Sequence, residues 1–320
     1  MSEVTFLDFL KDRIQQVEDR MQAQSHGYNP ELELALDHIL SSGGKRIRPT
    51  IALLIGDMLG GTPEDLIILG ASVELLHTAT LVHDDLIDGA LLRRGNSTLN
   101  ANWSSAATVL AGDYYFSRSA ALGADLGDPA ILRIFADTLS TIVSGEITQL
   151  FERQHICDRE SYLKRIFAKT ASLFKMAAKT AAMLSPVDEE VVEYATSYGY
   201  ELGMAFQIVD DILDFTGEQV TVGKPVASDL RQGIITLPAI VYQELHPDDD
   251  SLETVIYGNV EEAQIISLIG KIHDSEAIEL AHREAKQFAG RAINALEKLP
   301  EGKERQALRK LAEFVVARES

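Results

Sequence analysis

Asp84-Asp85-x-x-Asp88 and Asp210-Asp211-x-x-Asp214 are two copies of one carboxylate pattern, each set inside an apolar run. Leu81, Val82, Leu86 and Ile87 surround the first copy; Ile208, Val209, Ile212 and Leu213 surround the second. On a helix, residues i and i+4 stack on one face and the i+1 residue turns to its flank. Three like charges on one turn repel, and apolar neighbours hydrate them poorly, so a cation is expected there. All-oxygen donors suit a hard divalent ion. Two such turns acting on one ligand must converge, and together they would clamp a polyphosphate through bound metal. One D-D-x-x-D arises by chance in about 7% of chains of this length, and two in apolar settings in well under ~1%. The alternative for either copy is a solvated acidic face, which the apolar flanks fit badly.

Basic residues are scarce, and several gather near breaks in the helical pattern. Gly43-Gly44-Lys45-Arg46-Ile47-Arg48-Pro49 brings three cations to a turn, where glycine lets backbone approach an anion and Arg and Lys give charge-assisted bonds to phosphate. His77 lies one heptad before Asp84, with Thr80 between them; it reads either as a core histidine or as a donor to an anion. Arg93-Arg94-Gly95 follows the first motif, and the spacing predicts two arginines leaving a helix end on different sides. Gln207 shares a face with Asp210, Asp211 and Asp214. Lys169-Thr170 sits mid-helix between Phe167 and Leu173, where a buried lysine needs an anionic partner. Lys224 lies on the loop after the second motif. Surface charge is the plain alternative for each of these cations.

Helices must position all of these groups. A 3.6-residue apolar period runs through 32–40, 51–58, 64–88, 107–122, 131–151, 162–184, 191–215, 237–244, 263–272 and 279–299, whereas alternating strand patterns are nearly absent. Thr62-Pro63-Glu64-Asp65 predicts a capped helix start with proline at its first position. Segment 217–238 reads as a lid or a connector, and 246–250 as a solvated turn. No linker separates the two motifs, so one all-helical domain spanning 1–320 is expected.

The 320 residues carry 29 Lys and Arg against 49 Asp and Glu, and the resulting charge of −20 disfavours nucleic acid as a partner. No stretch reaches the ~18 uninterrupted apolar residues of a membrane span. The N-terminus lacks signal-peptide character, and a lone Cys157 has no internal disulfide partner, so a cytoplasmic location is expected.

The chain closely resembles the trans-prenyl diphosphate synthases, the polyprenyl synthetases. The likeness rests on Gly43–Pro49, His77 through Gly95, Gly112-Asp113, Lys169-Thr170, Phe206-Gln207-x-x-Asp210-Asp211-x-x-Asp214 and Gly223-Lys224-Pro225, stretches that span residue 43 to about 238. It implies an all-α orthogonal bundle around a deep central cavity, usually a homodimer. It implies that Asp84, Asp85, Asp88, Asp210, Asp211 and Asp214 hold two or three Mg²⁺ ions on an allylic diphosphate. Arg93, Lys169 and Lys224 would contact that diphosphate, and Lys45, Arg48, His77 and Arg94 would bind isopentenyl diphosphate. Thr170 and Gln207 would line the reacting centre. Many relatives carry lysine where Ile234 stands, which leaves one accessory phosphate contact open.

In this family the turn before the first motif floors the product channel. Leu76, Ala79 and Thr80 stand there, and none is aromatic. An aromatic would fill about 150 Å² or more of surface. A medium or long product of around eight isoprene units is therefore expected. The competing readings are a farnesyl or geranylgeranyl synthase, a terpene cyclase, and a non-catalytic partner subunit of a synthase. A cyclase has no use for an isopentenyl diphosphate site, and a silent subunit would be expected to have lost aspartates.

Overall fold

In a computed structural model, residues 5–27, 29–93, 95–217, 226–258 and 261–318 are described. The molecule is 79% helical, and the described residues hold a single ladder of two short strands, so the chain is all-α as expected. Contacts divide it into two compact units: residues 1–138, 173–199 and 296–310 form unit 1, and residues 139–172, 200–295 and 311–320 form unit 2.

Unit 1 is built around helix α4 (Pro63–Ile87), which packs against α1 (Lys11–Gln22), α3 (Ile47–Leu59) and α6 (Ser105–Asp125). Helix α4 is buried on nearly every side, from Leu66 to Asp85. That burial explains why it is apolar all round rather than striped. By length and apolarity it could cross a membrane, yet 72% of its most apolar window lies inside the protein, which makes it a core helix. Each fully buried Leu or Val there contributes about 1.5–3 kcal/mol. Ser72 and Ser119 lock α4 to α6, each hydroxyl donating to the other's carbonyl at 2.8 and 2.5 Å. Thr62 occupies the N-cap of α4 in extended backbone with Pro63 behind it, but its side chain makes no capping hydrogen bond, contrary to expectation. Asn29, by contrast, caps α2 (Pro30–Ser41) by accepting the Glu31 N–H.

After α4 the chain turns through Gly89 (φ +62°) into β1 (Leu92–Arg93) and β2 (Asn96–Ser97), paired Leu92 to Ser97 and Arg93 to Asn96. Arg93 thus lies on a hairpin strand, not on the helix end expected from sequence. Pairing the strands fixes its backbone and aims its side chain.

Unit 2 contains α8 (Arg159–Ile166), a π-helical segment at Phe167–Ala171, and α12 (Leu237–Leu245), α13 (Ser251–Tyr257), α14 (Glu262–Asp274) and α15 (Ala277–Leu296). Helix α12 packs on α8 and α14. Asp249 ties this group together, accepting from Tyr242 of α12 at 2.7 Å and from Lys271 of α14 at 2.8 Å. The remaining elements are α5 (Leu99–Asn102), α7 (Pro129–Glu152), α9 (Ser172–Met183), α10 (Glu189–Thr216), α11 (Ser228–Arg231) and α16 (Lys303–Ala317). Helices α1, α5, α11, α13 and α16 lie outside the apolar-period segments of the sequence.

Candidate active site

Each aspartate motif closes a long helix, where the backbone can leave the helical path and bring partners to the carboxylates. In unit 1, α4 ends at Ile87, with Asp88 at its C-cap. Asp85 is buried, Asp84 half-buried and Asp88 exposed. Burial of Asp85 has its compensation: Arg93 Nε donates to both carboxylate oxygens at 2.9 and 3.1 Å, and its Nη2 lies 2.8 Å from Oδ1. The cation expected beside these charges is, for Asp85, an arginine of the protein itself. The hairpin that carries Arg93 is moored by the Ala90 N–H on the Asp85 carbonyl (2.8 Å) and the Thr98 hydroxyl on the Ala90 carbonyl (2.7 Å).

Gly112 has a physical reason in this site. A Cβ there would stand 2.1 Å from His83 Nε2, so glycine alone leaves room for the imidazole. His83 then donates to the Val109 carbonyl at 3.1 Å, lies 3.5 Å from Asp113 Oδ1 and packs on Phe116.

The basic turn before α3 divides its cations. Gly43 (φ +72°) and Arg46 (φ +45°) both take the left-handed conformation, and this sends Arg46 inward. Arg46 pairs with Glu18 at 2.7 Å and with the buried Glu74 at 3.3 Å, which makes it structural. Lys45 is exposed, and Arg48 is half-buried with its guanidinium 4.9 Å from the Phe174 ring centre. His77 is half-buried on α4; its carbonyl accepts the Thr80 hydroxyl at 2.8 Å. Leu76 and Ala79 are fully buried, and Thr80 is half-buried. Arg94 lies outside the described residues.

In unit 2 the second motif gives its three carboxylates unlike surroundings. Asp210 pairs with Arg318, Nη1 to Oδ1 at 2.9 Å, and that guanidinium also covers the Phe206 ring at 5.0 Å. Asp211 is buried and accepts from the Tyr162 hydroxyl and from Gln207 Nε2, each at 2.8 Å. Burial, followed by the charge of Asp229, pushes the Asp211 carboxyl up to about 7 against the pull of those two donors. Burial and the neighbouring Asp211 push the Tyr162 phenol well up in turn. Asp214 accepts the backbone N–H groups of Ser228 and Asp229 at 3.1 Å each.

Lys169 and Thr170 sit on the π-helical segment, an irregularity frequent at functional sites because it re-aims side chains within a helix. Thr170 donates to Gln207 Oε1, so Thr170, Gln207, Asp211 and Tyr162 form one hydrogen-bonded chain, which joins two of the expected catalytic residues. Lys169 lies 3.5 Å from Glu146 of α7. A glycine explains the approach: a Cβ on Gly145 would be 2.5 Å from that of Ala168, so the backbones touch one residue before the ion pair. Lys224 lies outside the described residues.

Glu146, Tyr162, Asp229 and Arg318 are additions that sequence reasoning did not single out. The Gly-Glu pair at 145–146 was a usable signal, as was an acid soon after the second motif. Nothing local marks Tyr162 or Arg318. A separate cavity of about 350 Å³ in unit 2, lined by Arg159, Val241, Glu244, Leu280 and Glu284 among others, contains none of the expected site residues.

Among the described residues no three His, Cys, Asp or Glu side chains form a ready-made metal cage. Mg²⁺ characteristically takes one or two carboxylates and fills its octahedron with water and substrate phosphate, so the donor set fits that ion.

A sequence model of the family described as Polyprenyl synthetase matches residues 29–272. The chain is 36% identical to heptaprenyl diphosphate synthase component 2 of Geobacillus stearothermophilus, over 97% of both chains. It is also 36% identical to octaprenyl diphosphate synthase of Haemophilus influenzae, over 95% of this chain and 94% of that one. A crystal structure of polyprenyl synthase from Caulobacter crescentus, complexed with calcium and isoprenyl diphosphate, aligns with a TM-score of 0.91 and 31% identity, covering 98% of this chain and 97% of that one.

Proposed function

Since the chain belongs to the polyprenyl synthetase family and is a prenyltransferase, we propose that it condenses an allylic diphosphate with isopentenyl diphosphate to build a medium or long all-trans chain, around octaprenyl. The observation that carries this reading is the pair of aspartate motifs, each intact within a family match over most of the chain.

The reaction breaks the allylic C–O bond, and the electron pair leaves with the diphosphate. The double bond of isopentenyl diphosphate supplies the new C–C bond, and a proton then passes to the released pyrophosphate. Bound Mg²⁺ supplies positive charge to the departing group. Asp84, Asp85, Asp88, Asp210, Asp211 and Asp214 would hold the metal, two or three Mg²⁺ ions, on the allylic diphosphate. Both motifs act on one diphosphate in this reading, and the two units work as a single domain.

Arg93, already beside Asp85, bonds the allylic diphosphate together with Lys169 and Lys224. Lys45, Arg48, His77 and Arg94 hold isopentenyl diphosphate, for which an exposed Lys45 and a half-buried Arg48 are suited. Thr170 and Gln207 line the reacting centre, held in register by their mutual hydrogen bond. An apolar pocket excludes water from the allylic cation. Leu76, Ala79 and Thr80 set the product length. The enzyme works in the cytoplasm as a homodimer, a state that light scattering of the purified protein measures directly.

A second reading has one observation in its favour. The Geobacillus relative is called component 2, which points to function alongside a different subunit. Incubation of the pure protein with Mg²⁺, farnesyl diphosphate and labelled isopentenyl diphosphate separates the cases. A product of about eight isoprene units on chromatography supports the first reading, and a product stopped at farnesyl or geranylgeranyl length makes it a short-chain synthase. No elongation without an added subunit favours the second. A cyclic hydrocarbon would overturn both.

A further inference from the structure

Helix α2 ends where the basic turn begins, and hydrogen bonds close the join. The His38 carbonyl accepts the Ser42 N–H at 3.2 Å and the hydroxyls of Ser41 and Ser42 at 2.9 and 3.0 Å. The Leu40 carbonyl accepts the Gly43 N–H at 3.1 Å and Arg46 Nη2 at 3.2 Å. The last carbonyls of a helix have no partner within it, and here the turn itself supplies the donors. Lys45 and Arg48 therefore stand on a turn fixed to the end of α2.

The same end of α2 reaches the hairpin. The Thr98 N–H donates to the Leu91 carbonyl at 3.1 Å, so those two residues face each other as a hydrogen-bonded pair. Pairs alternate along an antiparallel ladder, and the next one, Leu92 with Ser97, is therefore of the non-hydrogen-bonded kind. Its Ser97 carbonyl points away from Leu92, out of a ladder of two strands. His38 Nε2 lies 2.7 Å from that oxygen. A carbonyl only accepts, so the imidazole donates. The Ser97 hydroxyl is held separately, accepting Asn102 Nδ2 at 3.0 Å.

We propose that His38 is a positioning residue: its ring ties the basic turn to the hairpin and so sets the spacing of the cations that hold isopentenyl diphosphate. That set draws on both segments, Lys45 and Arg48 from the turn and Arg94 next in sequence to Arg93. Arg93 itself depends less on His38, because Asp85 holds it directly. The consequence for catalysis rests on the prenyl-transfer reading; the tie itself does not.

The test compares the full-length wild type with His38→Phe, which keeps a ring but cannot donate, and His38→Gln, whose amide can donate from much the same place as Nε2. Should the phenylalanine variant not fold, His38→Asn, too short to reach Ser97, takes its place. Amide hydrogen exchange reads the tie. Protection of the Thr98 amide should fall about threefold or more in His38→Phe and recover in His38→Gln. Unchanged protection in His38→Phe overturns the proposal. Steady-state kinetics with Mg²⁺, farnesyl diphosphate and isopentenyl diphosphate read its use. KM for isopentenyl diphosphate should rise about three- to tenfold in His38→Phe, the worth of one hydrogen bond. KM for farnesyl diphosphate and kcat should stay within about twofold, and His38→Gln should restore the lost affinity. Equal rises in both KM values, or a fall in kcat alone, mean general loosening and sink the idea, as does no change at all. A loss that glutamine does not repair makes ring shape the cause and refutes the donor role. If the wild type elongates nothing, the functional reading fails, and the exchange data alone decide the tie.

Discussion

Charged side chains in this protein answer one another locally, and the answers were not those that residue type alone implied. Arg46, Arg93, Lys169 and Arg318 each face a carboxylate of the chain, at Glu18 and Glu74, Asp85, Glu146 and Asp210 respectively. In a molecule with a formal charge of −20, these cations stand beside carboxylates, of which Asp85 and Glu74 are buried and need a compensating charge. Truncating Arg93 to alanine should therefore destabilise the fold by about 1–3 kcal/mol, since Asp85 stays buried and loses its donors; urea unfolding measures it. Tyr162→Phe should cost a similar ~1–3 kcal/mol, because Asp211 is left one donor short in a buried place. Gly112→Ala tests packing. Its new methyl must displace the His83 ring, and a loss of about 1–3 kcal/mol with a lower Tm is expected. A silent Gly112→Ala variant would mean that His83 is free to move away.

Elements matter here mostly where they depart from regularity. The two-stranded hairpin aims Arg93, and the π-helical segment aims Lys169 and Thr170. Such departures fix direction without adding length, so a periodic pattern passes over them. Gly145→Ala should force α7 off the π-helical segment, lengthening the Glu146–Lys169 pair; thermal melts should show the strain and kcat should fall with it. The cluster of α12, α13 and α14 gives a pH test. Lys271, Ser251 and Tyr242 all donate to Asp249 and hold its carboxyl well below the usual carboxylate range. The unfolded chain therefore binds more protons than the folded one in acid. The contribution of Asp249 is complete above about pH 5 and fades as pH falls further. Replacing it with asparagine should flatten the acid limb of the stability profile and leave its slope near neutrality alone; unfolding midpoints at several pH values would reveal either.

At the scale of the whole molecule, product length is the property that no single element owns. Ala79 is fully buried on α4, and phenylalanine in its place should shorten the dominant product to about fifteen or twenty carbons by filling space that a growing chain would use. Thr80→Phe, at a half-buried position, repeats the test with less risk to the core. Reverse-phase chromatography of the products reads both, and unchanged length in both would remove this turn from the length-setting surface. Chelation of divalent metal with EDTA should abolish elongation, and added Mg²⁺ should restore it.

The sequence by itself determined the helical class, the positions of most long helices and the two acidic turns, because apolar period and charge spacing are written locally. It also carried enough family-specific pattern to name the chemistry. Tertiary structure alone decided the long-range partners of these carboxylates: Asp85 with a hairpin arginine, Asp210 with an arginine far down the chain, Asp214 with the backbone of Ser228 and Asp229. It decided, too, that Arg46 turns inward while Lys45 stays exposed. Periodicity reports that a face is buried and is silent on what covers it. Pairings between residues distant in sequence follow from how helices cross, and crossings are set by packing volume, by glycines such as Gly145, which admits Ala168, and Gly112, which admits the His83 ring, and by irregular turns that leave no periodic trace.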